Sequence, residues 1–232
     1  MIINLLKTKA KRFLFKRVLI VAVLFFIQAA SAVEHTSIAP GSKGTFRGRP
    51  TVNAIRVEMP PEVNGVLDDE VWKLAKPAGE FLQKSPQQNV PHSQRTEFRV
   101  LYDDNAIYVA GKFNNPNPIP VEFSQRDDIW EINAETFFIS INSYDDNINE
   151  QSFQITSAGT LGDSFTSGNM SDEDWDFDTV FEAKVSIVNK GWIMEMRIPY
   201  SALRFPSKEI QKWGINFGRK IAESGEVYTW NF

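Results

Sequence analysis

The 232-residue chain contains no cysteine, which excludes disulfide staples, thiolate metal sites and a cysteine nucleophile. It has only two histidines. His35 lies in a Ser-, Gly- and Pro-rich stretch and His92 follows Pro91, so neither is placed for a Ser-His-Asp triad. Gly-x-Ser-x-Gly, a phosphate loop and His-Glu-x-x-His are missing as well. No catalytic residue is therefore assigned. Acids are plentiful, and a glycoside hydrolase acting through two loop carboxylates stands as a rival reading on that ground alone.

Acidic residues are absent from the first 33 positions, where Lys7, Lys9, Lys11, Arg12, Lys16 and Arg17 precede an apolar run from Val18 to Ile27. Ala30-Ser31-Ala32 follows as a small-x-small site. Ten apolar residues are too few for a bilayer span, which takes roughly 20. Residues 1–32 are read as a cleavable signal peptide, which sends the chain to the periplasm or the cell surface. Removing its six bases from the 25 Lys and Arg leaves 19 against 29 Asp and Glu, a net charge of −10. A chain that acidic repels phosphate backbones, so nucleic acid is excluded as a partner. Neutral ligands such as sugars, or Ca2+, suit it.

Residues 33–53 show no apolar period and are read as a flexible leader. The domain, 54–232, alternates apolar and polar residues through Thr96–Tyr102, Ala106–Phe113, Thr136–Asn142, Gln151–Thr156, Phe181–Val188, Trp192–Ile198 and Lys212–Arg219. Turn signals such as Asp103-Asp104-Asn105 and Asn189-Lys190-Gly191 separate these runs. The pattern predicts an all-β fold, an antiparallel β-sandwich of immunoglobulin-like or jelly-roll-like kind. One or two short helices are expected, at Asp68–Ala75 with Asp68 as cap and at Tyr200–Arg204.

Trp72, Trp192 and Trp213 fall in phase with apolar neighbours and read as core. Trp130, after Arg126-Asp127-Asp128-Ile129, and Trp175, within the acidic run Asp172–Asp178, lie off any strand period. An indole in a polar loop offers an apolar face to the C–H side of a pyranose, while neighbouring carboxylates and amides take its hydroxyls. Trp130 is the main stacking candidate, with Arg126, Asp127, Asp128 and Glu135 as hydroxyl partners. The bland alternative folds each tryptophan back as a lid on the sandwich. Asp145, Asp146 and Asn147, and the acidic run Asp172–Asp178, offer the hard oxygen ligands that Ca2+ takes, although no EF-hand spacing is present.

The run Val63-Asn64-Gly65-Val66-Leu67-Asp68-Asp69-Glu70-Val71-Trp72 resembles the I-D-G-x-L-D-D-x-x-W opening of family 9-like carbohydrate-binding domains, which are DOMON-like β-sandwiches. The resemblance continues in order through Arg95–Asp104, Ile107-Tyr108-Val109, Arg126-Asp127-Asp128, Gly191–Tyr200, Leu203-Arg204-Phe205 and Trp213–Arg219. It implies saccharide binding in carbohydrate catabolism. It also implies two tryptophans clamping a sugar, with Ca2+ supporting the loops. Trp130 falls near the first clamp position and Trp230 matches the second by order, whereas Trp175 corresponds to neither. Asn133-Ala134-Glu135 stands where such domains often carry Asp. The set is most like the N-terminal domain of large exported bacterial proteins whose C-terminal region resembles an outer-membrane barrel. Two expectations stay open, a stand-alone module or a fragment of a longer envelope protein with the barrel region as partner, and the chain's end at Glu226–Phe232, within an expected strand, favours the fragment. An interaction domain without a sugar site is the alternative, and haem binding through His92 ranks last.

Overall fold

The computed structural model describes residues 3–6, 50–168 and 173–231. The signal peptide and the leader lie outside these residues, apart from Ile3–Leu6 and residues 50–53. Among the described residues no helix is long and apolar enough to cross a membrane.

Among the described residues, thirteen strands build two stacked sheets. In chain order they are β1 (Ile3–Leu6), β2 (Ile55–Arg56), β3 (Leu82–Ser85), β4 (Thr96–Tyr102), β5 (Ala106–Asn114), β6 (Thr136–Asn142) and β7 (Glu150–Thr156). Then come β8 (Leu161–Thr166), β9 (Glu173–Asp174), β10 (Glu182–Val188), β11 (Gly191–Pro199), β12 (Ile210–Lys220) and β13 (Val227–Thr229). The larger sheet runs β3-β13-β12-β6-β7-β8-β9, and β1 lies antiparallel to the Ile210–Trp213 part of β12. The smaller sheet runs β10-β11-β5-β4-β2 and is antiparallel except for the β2–β4 pair.

The seven alternating segments are all strands, and their apolar phases meet between the sheets. Phe98, Val100, Val109, Phe113, Phe137, Ile139, Ile141, Phe153, Ile155, Trp192, Met194, Met196, Trp213 and Phe217 form one core. Each large side chain fully buried there contributes about 1.5–3 kcal/mol. Aromatic pairs such as Phe98 stacked on Phe217 at 3.8 Å and Phe113 tilted on Trp192 at 4.1 Å pack within it. β10 departs from its expected phase at one end, where Ile187 is half-exposed at the sheet's edge.

Both expected helices are shorter and tighter than an α-helix. Glu70–Leu74 and Tyr200–Ala202 are 3-10 turns. The expected cap at Asp68 is not made, and the N-cap position falls on Asp69 without a side-chain capping bond. The Asp69 carboxylate turns back to accept from the Glu62 N–H at 2.9 Å. Five residues held by packing need no cooperative helix, because their stability comes from burying Trp72.

One ion pair lies inside the sandwich. Arg219 and Glu135 meet at 2.7 Å, both fully buried. Glu135 also accepts from Asn115 Nδ2 at 2.6 Å and Trp192 Nε1 at 2.7 Å. Arg219 donates to Thr96 Oγ1 and to the Asn114 carbonyl. Burial pulls the Arg219 pKa below its ordinary value, against the opposing pull of Glu135. Every partner is satisfied, so the pair is a structural centre that joins β12, β6 and β5.

Candidate functional site

The outward positions of β6, β7, β8 and β12 form the floor of the candidate site. Register sets Asn216, Ser140, Ser152 and Ser164 side by side across β12, β6, β7 and β8. The next row holds Gly218, Phe138, Gln154 and Gly162. On the other side of the serines, Glu150, Thr166 and Glu173 are aligned across β7, β8 and β9. These outward positions would be water-facing Lys or Glu in an ordinary surface sheet. Instead Ser140, Ser152, Ser164, Thr166 and Gln154 are all buried, recessed between half-buried Phe138, Asn142, Glu150 and Asn216.

The floor's hydrogen bonds leave acceptors in surplus. Ser140 and Ser152 hydroxyls bond to each other at 2.9 Å, and Ser164 donates to Glu173 Oε1 at 2.6 Å. Gln154 is 2% exposed and its Oε1 has no partner. A buried acceptor left unpaired costs about 1–3 kcal/mol, so it marks a place where a donor is missing. Burial raises the Glu150 pKa above the usual carboxylate range; the Ser140 hydroxyl opposes that shift, the Glu173 charge adds to it and Lys84 opposes it. Lys84 sits on β3 of the same sheet.

Aromatic groups close one end of this face. A Cβ at Gly218 would stand 1.9 Å from the Phe138 ring, so only glycine lets that ring lie flat on the β12 backbone. Trp130 packs beside it at 6.2 Å and 55°, half-buried. Lys220 holds the indole from behind, with Nζ 5.5 Å from its ring centroid and donating to the Trp130 carbonyl. Ile129, fully buried, rests on Gly162, where a Cβ would meet Ile129 Cδ1 at 2.8 Å.

The loop that carries Trp130 is pinned to the Leu161–Asp163 end of β8. Asp127 N–H donates to the Leu161 carbonyl at 3.1 Å, and the Asp163 N–H donates to Asp127 Oδ1 at 2.8 Å. Arg126 turns to the other side of that end. It pairs with buried Asp163, lies 3.3 Å from Asp178 and donates to the Thr179 carbonyl at 2.9 Å. Asp163 also accepts from the Thr179 N–H at 2.7 Å and hydroxyl at 3.0 Å. The guanidinium stands over Phe181 at 5.4 Å. Arg126 thus ties the Trp130 loop to the segment that follows Trp175.

The sequence-predicted residues are distributed unevenly about this face. Trp130 borders it, and Arg126 supports it from the edge rather than facing a ligand. Asp128 is exposed in the tight turn beside Asp127, whose φ is 70°. Trp175 is half-buried in the turn after β9, beyond the far edge of the same sheet. Two positions need correction. Glu135 is fully buried in the Arg219 pair and has no surface to offer a hydroxyl. Trp230 is 5% exposed and packs edge-on against Phe98 and Phe217 on the inner side of the sheet. It lines a separate groove of about 1020 Å³, together with residues 50–53, 55, 74, 76–80, 92, 93 and 95–97.

The expected Ca2+ ligands are also committed. Asp146 is the hub of its own turn, accepting from the Ile148 and Asn149 N–H groups and from the Asn142 and Asn149 side chains. Partial burial pushes its pKa up, but those four bonds win and hold it at about 2. Asp145 pairs with Lys212 at 3.0 Å. Asp127, Asp163 and Asp178 do bring carboxylate oxygens within 4.8 Å of one another. The Arg126 guanidinium already supplies the positive charge among them, so that cluster does not fit a metal ion with Arg126 in place.

Residues 63–226 match the carbohydrate family 9 binding domain-like family. The chain belongs to that family. The family's opening motif has a structural role here. The Asn64 and Gly65 N–H groups and Trp72 Nε1 all donate to buried Glu195 on β11, at 3.0, 2.7 and 2.8 Å.

The fold is shared with solved structures. A putative carbohydrate-binding protein from Bacteroides uniformis aligns with a TM-score of 0.56 at 15% identity, covering 76% of this chain and 87% of that one. A family 9 carbohydrate-binding module from Caldicellulosiruptor kristjanssonii in complex with glucose aligns at 0.53 and 15% identity, covering 76% and 85%. The same organism's module in complex with cellotriose aligns at 0.50, covering 76% and 83%. No curated protein matches the chain.

Ser140, Ser152, Ser164, Gln154, Phe138, Glu150 and Glu173 were absent from the sequence-level candidates. The usable signal was the outward phase of two predicted strands. Thr136–Asn142 and Gln151–Thr156 carry Phe138, Ser140, Ser152 and Gln154 where solvated strands carry charges.

Proposed function

We propose that this domain binds saccharide on the outer face of the larger sheet, where its polar row is recessed, with Trp130 and Phe138 as the apolar wall and the serine row with Gln154 as the polar floor. The observation that carries this reading is the buried, unpaired Gln154 Oε1 in the same row as Phe138. A pyranose pairs an apolar C–H face with a ring of hydroxyl donors, and those two surfaces meet the aromatic wall and the acceptor-rich floor. From Glu150 to Gln154 the floor extends about 13 Å, room for two or three sugar units. Membership of the carbohydrate-binding family and the glucose and cellotriose complexes of fold neighbours support the ligand class. Trp130 is half-buried rather than sealed, which favours a binding face over a purely structural lid.

The reading includes export to the periplasm or cell surface and a part in carbohydrate catabolism. The basic, then apolar, N-terminus and the net charge of −10 that its removal leaves support the address. Intrinsic tryptophan fluorescence, followed during titration with a panel of mono- and oligosaccharides, tests the binding. The expected outcome is saturable binding to at least one glucan oligosaccharide, with Trp130→Ala weakening it about tenfold or more, which is about 1.4 kcal/mol. Absence of binding across the panel, or unchanged affinity in Trp130→Ala, would overturn it.

A further inference from the structure

The polar floor has a chemical bias that the saccharide reading leaves open, and the bias lies in where its protons point. Ser164 spends its hydroxyl proton on Glu173, and the Ser140 hydroxyl lies between Ser152 and the Glu150 carboxyl. The Glu150 carboxyl and the second oxygen of Glu173 remain as acceptors beside the serine row, next to the Gln154 side chain, whose buried Oε1 has no partner. Glu150 and Glu173 flank Thr166 on adjacent strands and lean over one serine row, so their charges bear on the same space. The cations nearby do not cancel both. Lys84 acts on Glu150, Lys220 is engaged at Trp130 and Lys212 is paired with Asp145. Gln154, buried and unpaired on the same face, independently calls for a donor.

We propose that Glu150 and Glu173 make this face selective for uncharged saccharides and turn away glycans carrying uronic acids. The inference rests on the saccharide reading above. A neutral sugar brings hydroxyl donors to each free acceptor. A uronate replaces one hydroxyl donor with two acceptors and adds a negative charge beside half-buried Glu150 and exposed Glu173. Glu150 and Glu173 are thus specificity-determining residues, separate from the aromatic wall that supplies affinity for either ligand.

The test is calorimetric titration of the full chain at neutral pH with cellotriose and with its counterpart ending in glucuronic acid. Wild type is expected to bind cellotriose at least tenfold more tightly than the uronate. Raising NaCl from about 20 mM to about 0.5 M shortens the screening length from roughly 20 Å to roughly 4 Å and should narrow that gap. Glu150→Gln and Glu173→Gln should each narrow it at low salt, with circular dichroism showing that both variants are folded. The salt series on the unmodified protein decides the matter even if a variant fails to fold. Equal or tighter binding of the uronate overturns the selection and leaves the saccharide reading standing. A gap that neither salt nor either variant changes overturns the roles of Glu150 and Glu173. If neither ligand binds, and no other sugar of the panel does, the reading fails and the selection fails with it.

Discussion

The outer faces of the two sheets use the same ingredients to opposite ends. On the smaller sheet, a tryptophan and a glutamate meet under the segment that follows β2. Trp72 and Glu195 are both buried, and all three donors that reach Glu195 are satisfied by it. Val57, Ala75, Leu101, Ala106, Tyr108 and Ala110 complete a second apolar cluster there. On the larger sheet, Trp130 stays partly open, Glu150 is half-buried beside a like charge, and Gln154 Oε1 has no partner. A closed polar network holds a fold together, whereas a recessed network with acceptors to spare is prepared for a ligand. Residue type does not separate the two cases. What covers each face does.

The largest effect that sharpens this contrast is expected on the closed side. Glu195→Ala strands the Asn64 and Gly65 N–H groups and Trp72 Nε1 without an acceptor. It should cost about 3–5 kcal/mol and lower Tm by roughly 10 °C in a thermal melt. Saccharide affinity of the protein that remains folded should not change. A large loss of affinity at unchanged stability would break the division between the two faces.

A smaller and mixed effect is expected at the edge of the open side. Arg126→Ala leaves buried Asp163 without its guanidinium and unties the Trp130 loop from the segment after Trp175. We expect about 2 kcal/mol of destabilisation, discounted for the partial exposure of Arg126, together with a severalfold loss of affinity. Thermal melts and sugar titrations of the one variant measure both. Normal affinity would show that Trp130 is positioned by Lys220 and Phe138 alone.

The smallest effect concerns Asp146. Its folded pKa of about 2 lies below the ordinary 3.8, so it stabilises the fold fully above pH about 4 and loses that contribution as pH falls towards 2. Asp146→Asn should lower Tm at neutral pH by roughly 1–3 °C and flatten the acid limb of the melting-temperature profile. Added Ca2+ should not rescue it, because the carboxylate serves its own turn.

The strands were legible because each alternation has one apolar phase, and burial between two sheets enforces that phase at every second residue. Thr96–Tyr102 and Thr136–Asn142 have the observed bounds for this reason. Trp72, Trp192 and Trp213 were legible as core by the same logic. The site was harder to read, since it depends on register between strands far apart in sequence. Ser140, Ser152 and Ser164 become one row only when β6, β7 and β8 are aligned, and a serine on a single strand announces nothing. Glu135 misled for a related reason. It stands next to Trp130's loop in sequence, but strand phase turns it inward to an arginine 84 residues away. Trp230 matched the family's order, yet its neighbour Thr229 takes the outward position and leaves the indole on the core side.

Ligand is expected to meet the open face of the larger sheet and to leave the closed face of the smaller one untouched. Backbone amide NMR shifts of the labelled domain, followed on addition of cellotriose, test this most directly. Saturable shifts are expected at Trp130, Phe138, Ser140, Ser152, Gln154 and Ser164, with Asn64, Gly65, Trp72 and Glu195 unmoved. Shifts confined to the Trp72–Glu195 side, or to the groove beside Trp230, would contradict it.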